Sequence, residues 1–206
     1  VTITVTPRAT ASDITSNGTT ICANTTASLS ATSTGITSAV YKWYSDAALT
    51  TLVNTGATFT TPSLTATTTY YVTVNGTEKC ENLTNTGKAV TVTVTPRAVA
   101  TDITAANATI CASTTTTITA STAIASPTFK WYSDAALTNL LFTGASFTTP
   151  SITSTTTYYV SVSGTGKCEN LTNTGKAVTI TVTPRATASD ITSNGTTICA
   201  NTTASL

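Results

Sequence analysis

Several residue types that catalysis and nucleic-acid binding require are absent or scarce in this 206-residue chain. It contains no histidine and no methionine, charged residues make up 8%, and the net charge is +1. Histidine is the most frequent general base and metal ligand, and phosphate binding needs clustered Lys and Arg. No apolar run approaches the ~20 residues that span a bilayer. We therefore predict no enzyme, no catalytic, metal or cofactor residues, no cofactor, no nucleic-acid partner and no membrane insertion.

Threonine, by contrast, is abundant, with 59 residues in the chain. Its β-branched side chain favours strands, and its hydroxyl group hydrates the outer face of a sheet without adding charge. Thr alternates with Val, Ile and Tyr, and the most regular strand-like segments are Val40–Tyr44, Thr68–Asn75 and Lys88–Thr95. The sequence therefore predicts an all-β protein.

The chain is built from a sequence repeat of about 88 residues. Trp43 of the first repeat returns as Trp131 in the second. The stretch Val1–Leu29 returns without any change as Val178–Leu206, so the larger unit of duplication is a pair of similar repeats. This pattern indicates a segment of a longer repetitive protein.

Each repeat boundary is predicted to follow a strand and to carry a Pro-Arg pair. We assign residues 1–6 to the last strand of a preceding repeat, 7–95 to repeat 1, 96–183 to repeat 2, and 184–206 to the start of a third repeat. The junction residues are Pro7, Arg8, Pro96, Arg97, Pro184 and Arg185. Because proline restricts φ, we expect a short, stiff connection between the repeats.

The spacing of aromatic and aliphatic residues in each repeat predicts an immunoglobulin-like β-sandwich, with tandem sandwiches arranged end to end. Antibody domains have a Cys, a buried Trp and a second Cys at three positions, and a Tyr lies two residues before the second Cys. Aliphatic residues replace both cysteines here, so apolar contacts would hold the centre of the core. The predicted core residues are Leu29, Trp43, Tyr70, Val72, Ile118, Trp131, Tyr158 and Val160.

Five cysteines in a chain without histidine favour disulfides and an oxidising compartment over a zinc site. They are Cys22, Cys80, Cys111, Cys168 and Cys199. Sequence spacing alone suggests one bridge within each domain, Cys22–Cys80 and Cys111–Cys168.

The predicted topology favours a different pairing of the cysteines. Cys22 precedes the second strand of the sandwich and Cys80 follows the sixth, and these two points lie at opposite ends of a sandwich, about 25 Å apart. A disulfide needs its Cα atoms within about 7 Å. In a head-to-tail array, Cys22 can instead reach Cys168, with Cys80 bonding backwards and Cys111 forwards. We favour this inter-domain pairing, and the intra-domain pairing stays open.

An aspartate lies five residues after each junction arginine, at Asp13, Asp102 and Asp190. Each could form an ion pair with that arginine and brace the boundary. An exposed pair contributes only about 0–1 kcal/mol, so we expect a solvated carboxylate instead.

Several motifs together resemble a known family. These are Ile21-Cys22-Ala23-Asn24, Lys42-Trp43-Tyr44-Ser45-Asp46 and Thr67-Thr68-Thr69-Tyr70-Tyr71-Val72, with their counterparts in repeat 2. They are similar to immunoglobulin-like repeats of large Bacteroidota surface proteins that leave the cell by type 9 secretion, including gliding-motility proteins and giant adhesins. The usual Gly after the first Cys motif is replaced by Asn24 or Ser113. The resemblance implies an extracellular, cell-surface location.

From the repeats and the resemblance we predict a structural stalk segment of a secreted adhesin or surface filament, which spans distance and bears tension. Its partners would be neighbouring repeats of the same chain, with self-association or contact with a surface or glycan as further options. Two other functions stay open. One is a weak multivalent module that binds glycans or surfaces, and the other is a spacer in a secreted enzyme that degrades polysaccharides.

Overall fold

A computed structural model describes residues 1–192 and contains two similar sandwiches in succession. Repeat 1 begins with a 3₁₀ turn at Ala11–Asp13. Its strands are β1 (Ile14–Thr15), β2 (Thr19–Cys22), β3 (Ser28–Ser30), β4 (Thr32–Ser33), β5 (Val40–Tyr44), β6 (Leu52–Thr55), β7 (Thr58–Thr60), β8 (Thr68–Asn75) and β9 (Lys88–Thr95).

Repeat 2 follows the same order of elements after a 3₁₀ turn at Ala100–Asp102. Its strands are β10 (Thr104–Ala105), β11 (Ala108–Cys111), β12 (Thr117–Ser121), β13 (Thr128–Tyr132), β14 (Leu140–Thr143), β15 (Ser146–Thr148), β16 (Thr156–Ser163) and β17 (Lys176–Thr183). A third 3₁₀ turn covers Ala188–Asp190.

Each sandwich has one five-stranded sheet and a smaller facing layer. The large sheet of repeat 1 has the order β2-β9-β8-β5-β6, and that of repeat 2 has the order β11-β17-β16-β13-β14. The first strand of each large sheet runs parallel to the last strand of its repeat, while the other pairs are antiparallel. The opposite layer consists of β1-β4 and β3-β7 in repeat 1, and of β10-β12-β15 in repeat 2.

The hydrophobic core is divided into two separate clusters, one in each repeat. All eight residues that the sequence places in the core are buried: Leu29, Trp43, Tyr70 and Val72 in repeat 1, and Ile118, Trp131, Tyr158 and Val160 in repeat 2. Trp43 and Trp131 are both 0% exposed. Leu29 lies in the small layer and Val72 in the large sheet, so aliphatic contacts fill the space between the layers.

Threonine takes the outward positions of the strands, which explains its abundance. In β9, Val90 and Val92 are buried and Thr91 is exposed. The hydroxyl groups of Thr69 and Thr91 lie 2.9 Å apart across two neighbouring strands. The outer face is therefore polar and almost free of charge.

Residues 1–6 form no strand among the described residues, which do not include the preceding repeat to which they were assigned, so that assignment stays a prediction. Val1, Ile3 and Val5 are exposed. Val178 and Ile180, which occupy the positions of Val1 and Ile3 in β17, are 0% exposed. In β17 these residues pair with β16 and β11, and residues 1–6 have no such pairing in the structure. Most of the predicted third repeat, including Cys199, lies outside the described residues.

Separate cores predict separate unfolding of the two repeats. Replacing Trp43 with Ala should destabilise repeat 1 by about 3–5 kcal/mol, because it empties a fully buried position. Trp131 is then the only tryptophan, and its fluorescence should still report a urea transition of repeat 2 close to that of the unmodified protein. Trp131→Ala is the matched variant, with the roles of the repeats exchanged. A large shift of the Trp131 transition in Trp43→Ala would contradict two independent cores.

Candidate functional site at the junction of the repeats

The two repeats meet where β9 ends, and only Pro96 and Arg97 separate that strand from buried Ala98 of repeat 2. Thr95, the last residue of β9, is in register with Cys22 at the end of β2. On the other side, Arg97 forms an isolated parallel bridge with Cys168. Strand pairing therefore brings one cysteine from each repeat to the same boundary.

Backbone hydrogen bonds hold the short connection on both sides. The amide of Ala23 donates to the carbonyl oxygen of Thr95 at 2.9 Å. The amide of Cys168 donates to the carbonyl oxygen of Pro96 at 2.9 Å, and the amide of Ala98 donates back to that of Cys168 at 2.8 Å. Pro96 is therefore hydrogen-bonded to repeat 2, and the connection is flanked by Thr95, which is bonded within repeat 1, and by Ala98, which is bonded within repeat 2.

A disulfide between Cys22 and Cys168 crosses this boundary, with their Cα atoms 5.9 Å apart. This is the inter-domain pairing that the topology argument favours, and the intra-domain bridges Cys22–Cys80 and Cys111–Cys168 are absent. Cys22 and Cys80 do not pair because they lie at opposite ends of repeat 1. Cys22, the last residue of β2, lies beside the end of β9, whereas Cys80 is bridged to Arg8 at the other end. Cys80 and Cys111 are free and exposed.

The Arg97 side chain connects the two repeats a second time. Its Nε donates to the carbonyl oxygen of Ala23 in repeat 1 at 2.8 Å, and its Nη1 donates to that of Glu169 in repeat 2 at 3.0 Å. The two acceptors directly follow the two bonded cysteines in sequence. The planar guanidinium group suits such a double contact, because its N–H groups have a fixed geometry.

The segment that carries Cys168 is fixed to the large sheet by Glu169 and Asn170. The Glu169 carboxylate accepts from Lys130 at 2.7 Å, Tyr132 at 2.8 Å and Ser161 at 2.6 Å. The buried Asn170 side chain accepts from the Val162 amide and donates to the Thr174 carbonyl. Cys168 is therefore presented from a well-anchored loop.

These contacts determine the ionisation of Glu169. Burial works to raise the pKa of its carboxyl group, but the hydrogen bonds from Lys130, Ser161 and Tyr132 outweigh it, so the pKa lies below its ordinary value. The pKa of Lys130 is raised, chiefly by its hydrogen bond to Glu169.

Repeat 1 has the same anchor around Cys80. Lys42, Tyr44 and Thr73 all contact the Glu81 carboxylate, and Asn82 is held like Asn170. These residues were not predicted as an anchor from the sequence. The available signal was the recurrence of Lys42 as Lys130 and of the run Cys80-Glu81-Asn82 as Cys168-Glu169-Asn170.

Of the three aspartates near the junctions, Asp190 is exposed, as expected, and caps the third 3₁₀ turn, whereas Asp13 and Asp102 make further contacts. Asp13 and Asp102 form ion pairs with Lys79 and Lys167, each at 3.2 Å. Each also caps its 3₁₀ turn by accepting a backbone amide, and for Asp13 that bond, from Thr10, is the main reason for its lowered pKa. For Asp13 and Asp102 the expectation was wrong because it compared sequence neighbours, whereas the lysine partners come from the distant loop that carries the second cysteine.

The turn after the first cysteine of each repeat requires an unusual backbone conformation. Asn24 and Ser113, the two residues that replace the family's usual Gly, both have φ of 62°. Glycine adopts this left-handed region without steric cost, and Asn adopts it more readily than Ser. The turn is therefore retained despite the substitutions.

The outer junctions preserve parts of the same arrangement. Arg8, after Pro7, donates to the Glu81 carbonyl at 3.0 Å. Arg185, after Pro184, donates through Nε to the Ala112 carbonyl at 2.9 Å. Within residues 1–192, no three His, Cys, Asp or Glu side chains converge as a metal site would require. No helix in this range is long and apolar enough to cross a bilayer. The arrangement is suited to joining domains.

The structure consists of tandem immunoglobulin-like sandwiches, a class that is typically non-catalytic. The family model described as "Ig-like domain CHU_C associated" matches residues 2–96 and 99–184. The chain therefore belongs to this family, which is associated with type 9 secretion in the Bacteroidota. The resemblance drawn from the sequence motifs is confirmed. A search of curated proteins found no match.

Solved structures of several tandem modules are similar to the chain. Fibronectin(III)-like modules of Clostridium thermocellum CbhA share 13% identity at a TM-score of 0.42, covering 83% of this chain and 94% of that one. The first two immunoglobulin domains of DIP-gamma share 12% identity at 0.34, covering 82% and 97%. A Glu-to-Ala variant of titin domains I67–I69 shares 9% identity at 0.38, covering 84% and 65%.

The lowered pKa of Glu169 predicts a loss of stability in acid. A carboxylate with a lowered folded-state pKa stabilises the fold above the unfolded-state pKa of ~4.3, and this contribution is lost as the pH falls through the folded value. Between pH 7 and pH 3, the unmodified protein should lose about 1 kcal/mol more of repeat 2 stability than Glu169→Gln, as measured by urea unfolding. Glu81→Gln is the control and should alter repeat 1 instead. Equal acid sensitivity of repeat 2 in all three proteins would refute the role given to Glu169.

Proposed function

We propose that this chain is part of a stiff stalk in a secreted cell-surface protein, of the adhesin or surface-filament kind, which spans distance and carries tension. The observation that carries the proposal is the junction. A connection of two residues, a bridging arginine and a disulfide resist both bending and separation of the repeats. Such a junction serves a protein whose work is to keep domains apart along a line.

Two further observations support the proposed cell-surface location. Immunoglobulin-like domains of this family are associated with secreted surface proteins. In addition, the Cys22–Cys168 disulfide requires an oxidising environment, such as the outside of the cell or the periplasm, because cytosolic thiols are kept reduced.

The disulfide also limits how far the chain can be stretched. It joins residues with a sequence separation of 146, and an extended residue spans about 3.3–3.6 Å, so the bond removes about 500 Å from the maximum extension. The loop between Cys22 and Cys168 contains strands from both repeats, β3–β9 and β10–β16. Tension applied to the ends therefore cannot pull these strands out while the bond is intact.

The other functions predicted from the sequence remain predictions. A spacer in a polysaccharide-degrading enzyme would use the same junction, and near-identical repeats favour a long stalk over such a spacer. Glycan or surface binding would need exposed side chains that are free to contact a ligand. Tyr44 and Tyr132 do not meet this need, because both are buried and donate their hydroxyl groups to Glu81 and Glu169.

Single-molecule pulling tests the mechanical role. With force applied between the two ends of the full chain, Cys22→Ser should extend about 500 Å further than the oxidised protein, because the 146-residue loop is released. Cys80→Ser removes a free cysteine and is the matched control, so its extension should equal that of the unmodified protein. An oxidised protein that extends as far as Cys22→Ser would rule out a load-limiting bridge.

Electron microscopy of intact source cells tests the location. Gold-labelled antibodies raised against the chain should decorate thin projections away from the cell envelope, because tandem end-to-end domains extend outwards. Antibodies against a cytosolic protein serve as the control for leakage. Label confined to the cell interior, or found solely on a soluble enzyme in the medium, would contradict a surface stalk.

A further inference from the structure

The two free cysteines are the repeat counterparts of the two bonded ones. Cys80 occupies the position in repeat 1 that Cys168 occupies in repeat 2, and Cys111 corresponds to Cys22. Residues 1–192 therefore contain one complete bridge, Cys22–Cys168. They also contain one free cysteine at the position of Cys168, which is Cys80, and one at the position of Cys22, which is Cys111.

The backbone around Cys80 matches that around bonded Cys168. Cys80 forms a parallel bridge with Arg8, as Cys168 does with Arg97. The amide of Cys80 donates to Pro7 at 2.9 Å, and its carbonyl accepts from Ala9 at 2.8 Å, the same distances that are found at Cys168. Repeat 1 thus presents Cys80 as the receiving half of a junction.

Cys111 matches bonded Cys22 in the same way. It is in register with Thr183 at the end of β17, as Cys22 is with Thr95 at the end of β9. The Ala112 amide donates to Thr183 at 2.9 Å, as the Ala23 amide does to Thr95. The side chain of Thr114 donates to the Cys111 carbonyl at 2.7 Å, as that of Thr25 does to Cys22 at 2.6 Å.

The junction arginines contact the residues that follow the cysteines. Arg97 makes both contacts of the complete junction, one to Ala23 and one to Glu169. Arg185 makes the first contact, at Ala112, and Arg8 makes the second, at Glu81. If a complete repeat follows Arg185, the geometry of the existing junction places its second cysteine beside Cys111.

We propose that Cys80 and Cys111 are the two halves of the same inter-repeat bridge. In a tandem array, Cys111 of one repeat pair bonds to Cys80 of the next pair, so that one disulfide crosses every junction. This inference concerns how the repeats are bonded, and like the Cys22–Cys168 bridge it requires an oxidising environment.

The bond forms by thiol–disulfide exchange with a small disulfide such as oxidised glutathione. One cysteine thiolate attacks the glutathione disulfide and releases a glutathione thiolate. The second cysteine thiolate then attacks the mixed disulfide and releases the other glutathione. Two S–H bonds of the protein are replaced by one S–S bond, and the two electrons and two protons pass to two reduced glutathione molecules.

If a disulfide crosses every junction, mechanical load follows two covalent paths through the array. One covalent path follows residues 80–111 and then crosses to the next pair, and the other follows residues 168–199 and crosses in the same way. Each path extends by only about 110 Å for every two repeats, against about 600 Å for an uncrosslinked chain. Residues 23–79 and 112–167, which contain most of the core strands, lie outside both paths.

A four-repeat chain tests the proposal directly. It consists of residues 1–206 followed by a second copy of residues 30–206, and its seam is native because residues 178–206 repeat residues 1–29. After oxidation in a glutathione buffer and alkylation of free thiols, non-reducing peptide mapping should find Cys111 of the first copy joined to Cys80 of the second. The Cys22–Cys168 bridge of the first copy is the internal control for folding.

Arginine variants of the same chain test whether the junction guides the bond. Arg185→Ala should reduce the equilibrium constant for closing the Cys111–Cys80 bridge about tenfold, because it removes charge-assisted hydrogen bonds at that boundary. Arg8→Ala of the first copy is the matched control, since no repeat precedes it, and should leave this bridge unchanged.

Three results would overturn the proposal. The first is quantitative alkylation of Cys111 and the second copy's Cys80 while Cys22–Cys168 forms. The second is pairing of the second copy's Cys80 with Cys199, which lies in the same repeat. The third is absence of the Cys22–Cys168 bridge in the oxidised four-repeat chain, because the proposal depends on that geometry.

Discussion

The central physical constraint is the lack of slack between β9 and the core of repeat 2. Pro96 and Arg97 are the only residues between the end of β9 and Ala98, which is 1% exposed. Because Ala98 is packed in one core and β9 belongs to the other sandwich, the two domains must lie against each other at this point. The Cys22–Cys168 disulfide and the two Arg97 contacts depend on this closeness.

The sequence predicts those features that depend on local patterns. Val40–Tyr44, Thr68–Asn75 and Lys88–Thr95 were predicted as strands and are β5, β8 and β9. In β9, buried Val90 and Val92 alternate with exposed Thr, and in β5 buried Tyr41 and Trp43 flank half-buried Lys42, which gives a clear strand signal. The predicted core aromatics follow from the residue spacing that antibody domains show and from its recurrence in the second repeat.

Features that depend on contacts distant in sequence were predicted less well. The pairing of Cys22 with Cys168 was reached through topology, since the spacing of the cysteines pointed to the intra-domain bridges. The Glu169 anchor was missed because its three donors come from two strands, β13 and β16, and only the folded sheet brings them together. Residues 1–6 were predicted as the last strand of a preceding repeat from their alternating pattern, and this assignment stays a prediction, because a strand forms only with partners with which to pair.

Covalent and non-covalent contacts at the junction should make the repeats move as one body. Residual dipolar couplings measured by NMR on the oxidised protein test this most directly, because each rigid body in solution has its own alignment tensor. The account predicts a single tensor for both repeats, which separates into two when Cys22 is replaced by Ser and Arg97 by Ala. Two independent tensors in the oxidised, unmodified protein would contradict a stiff junction.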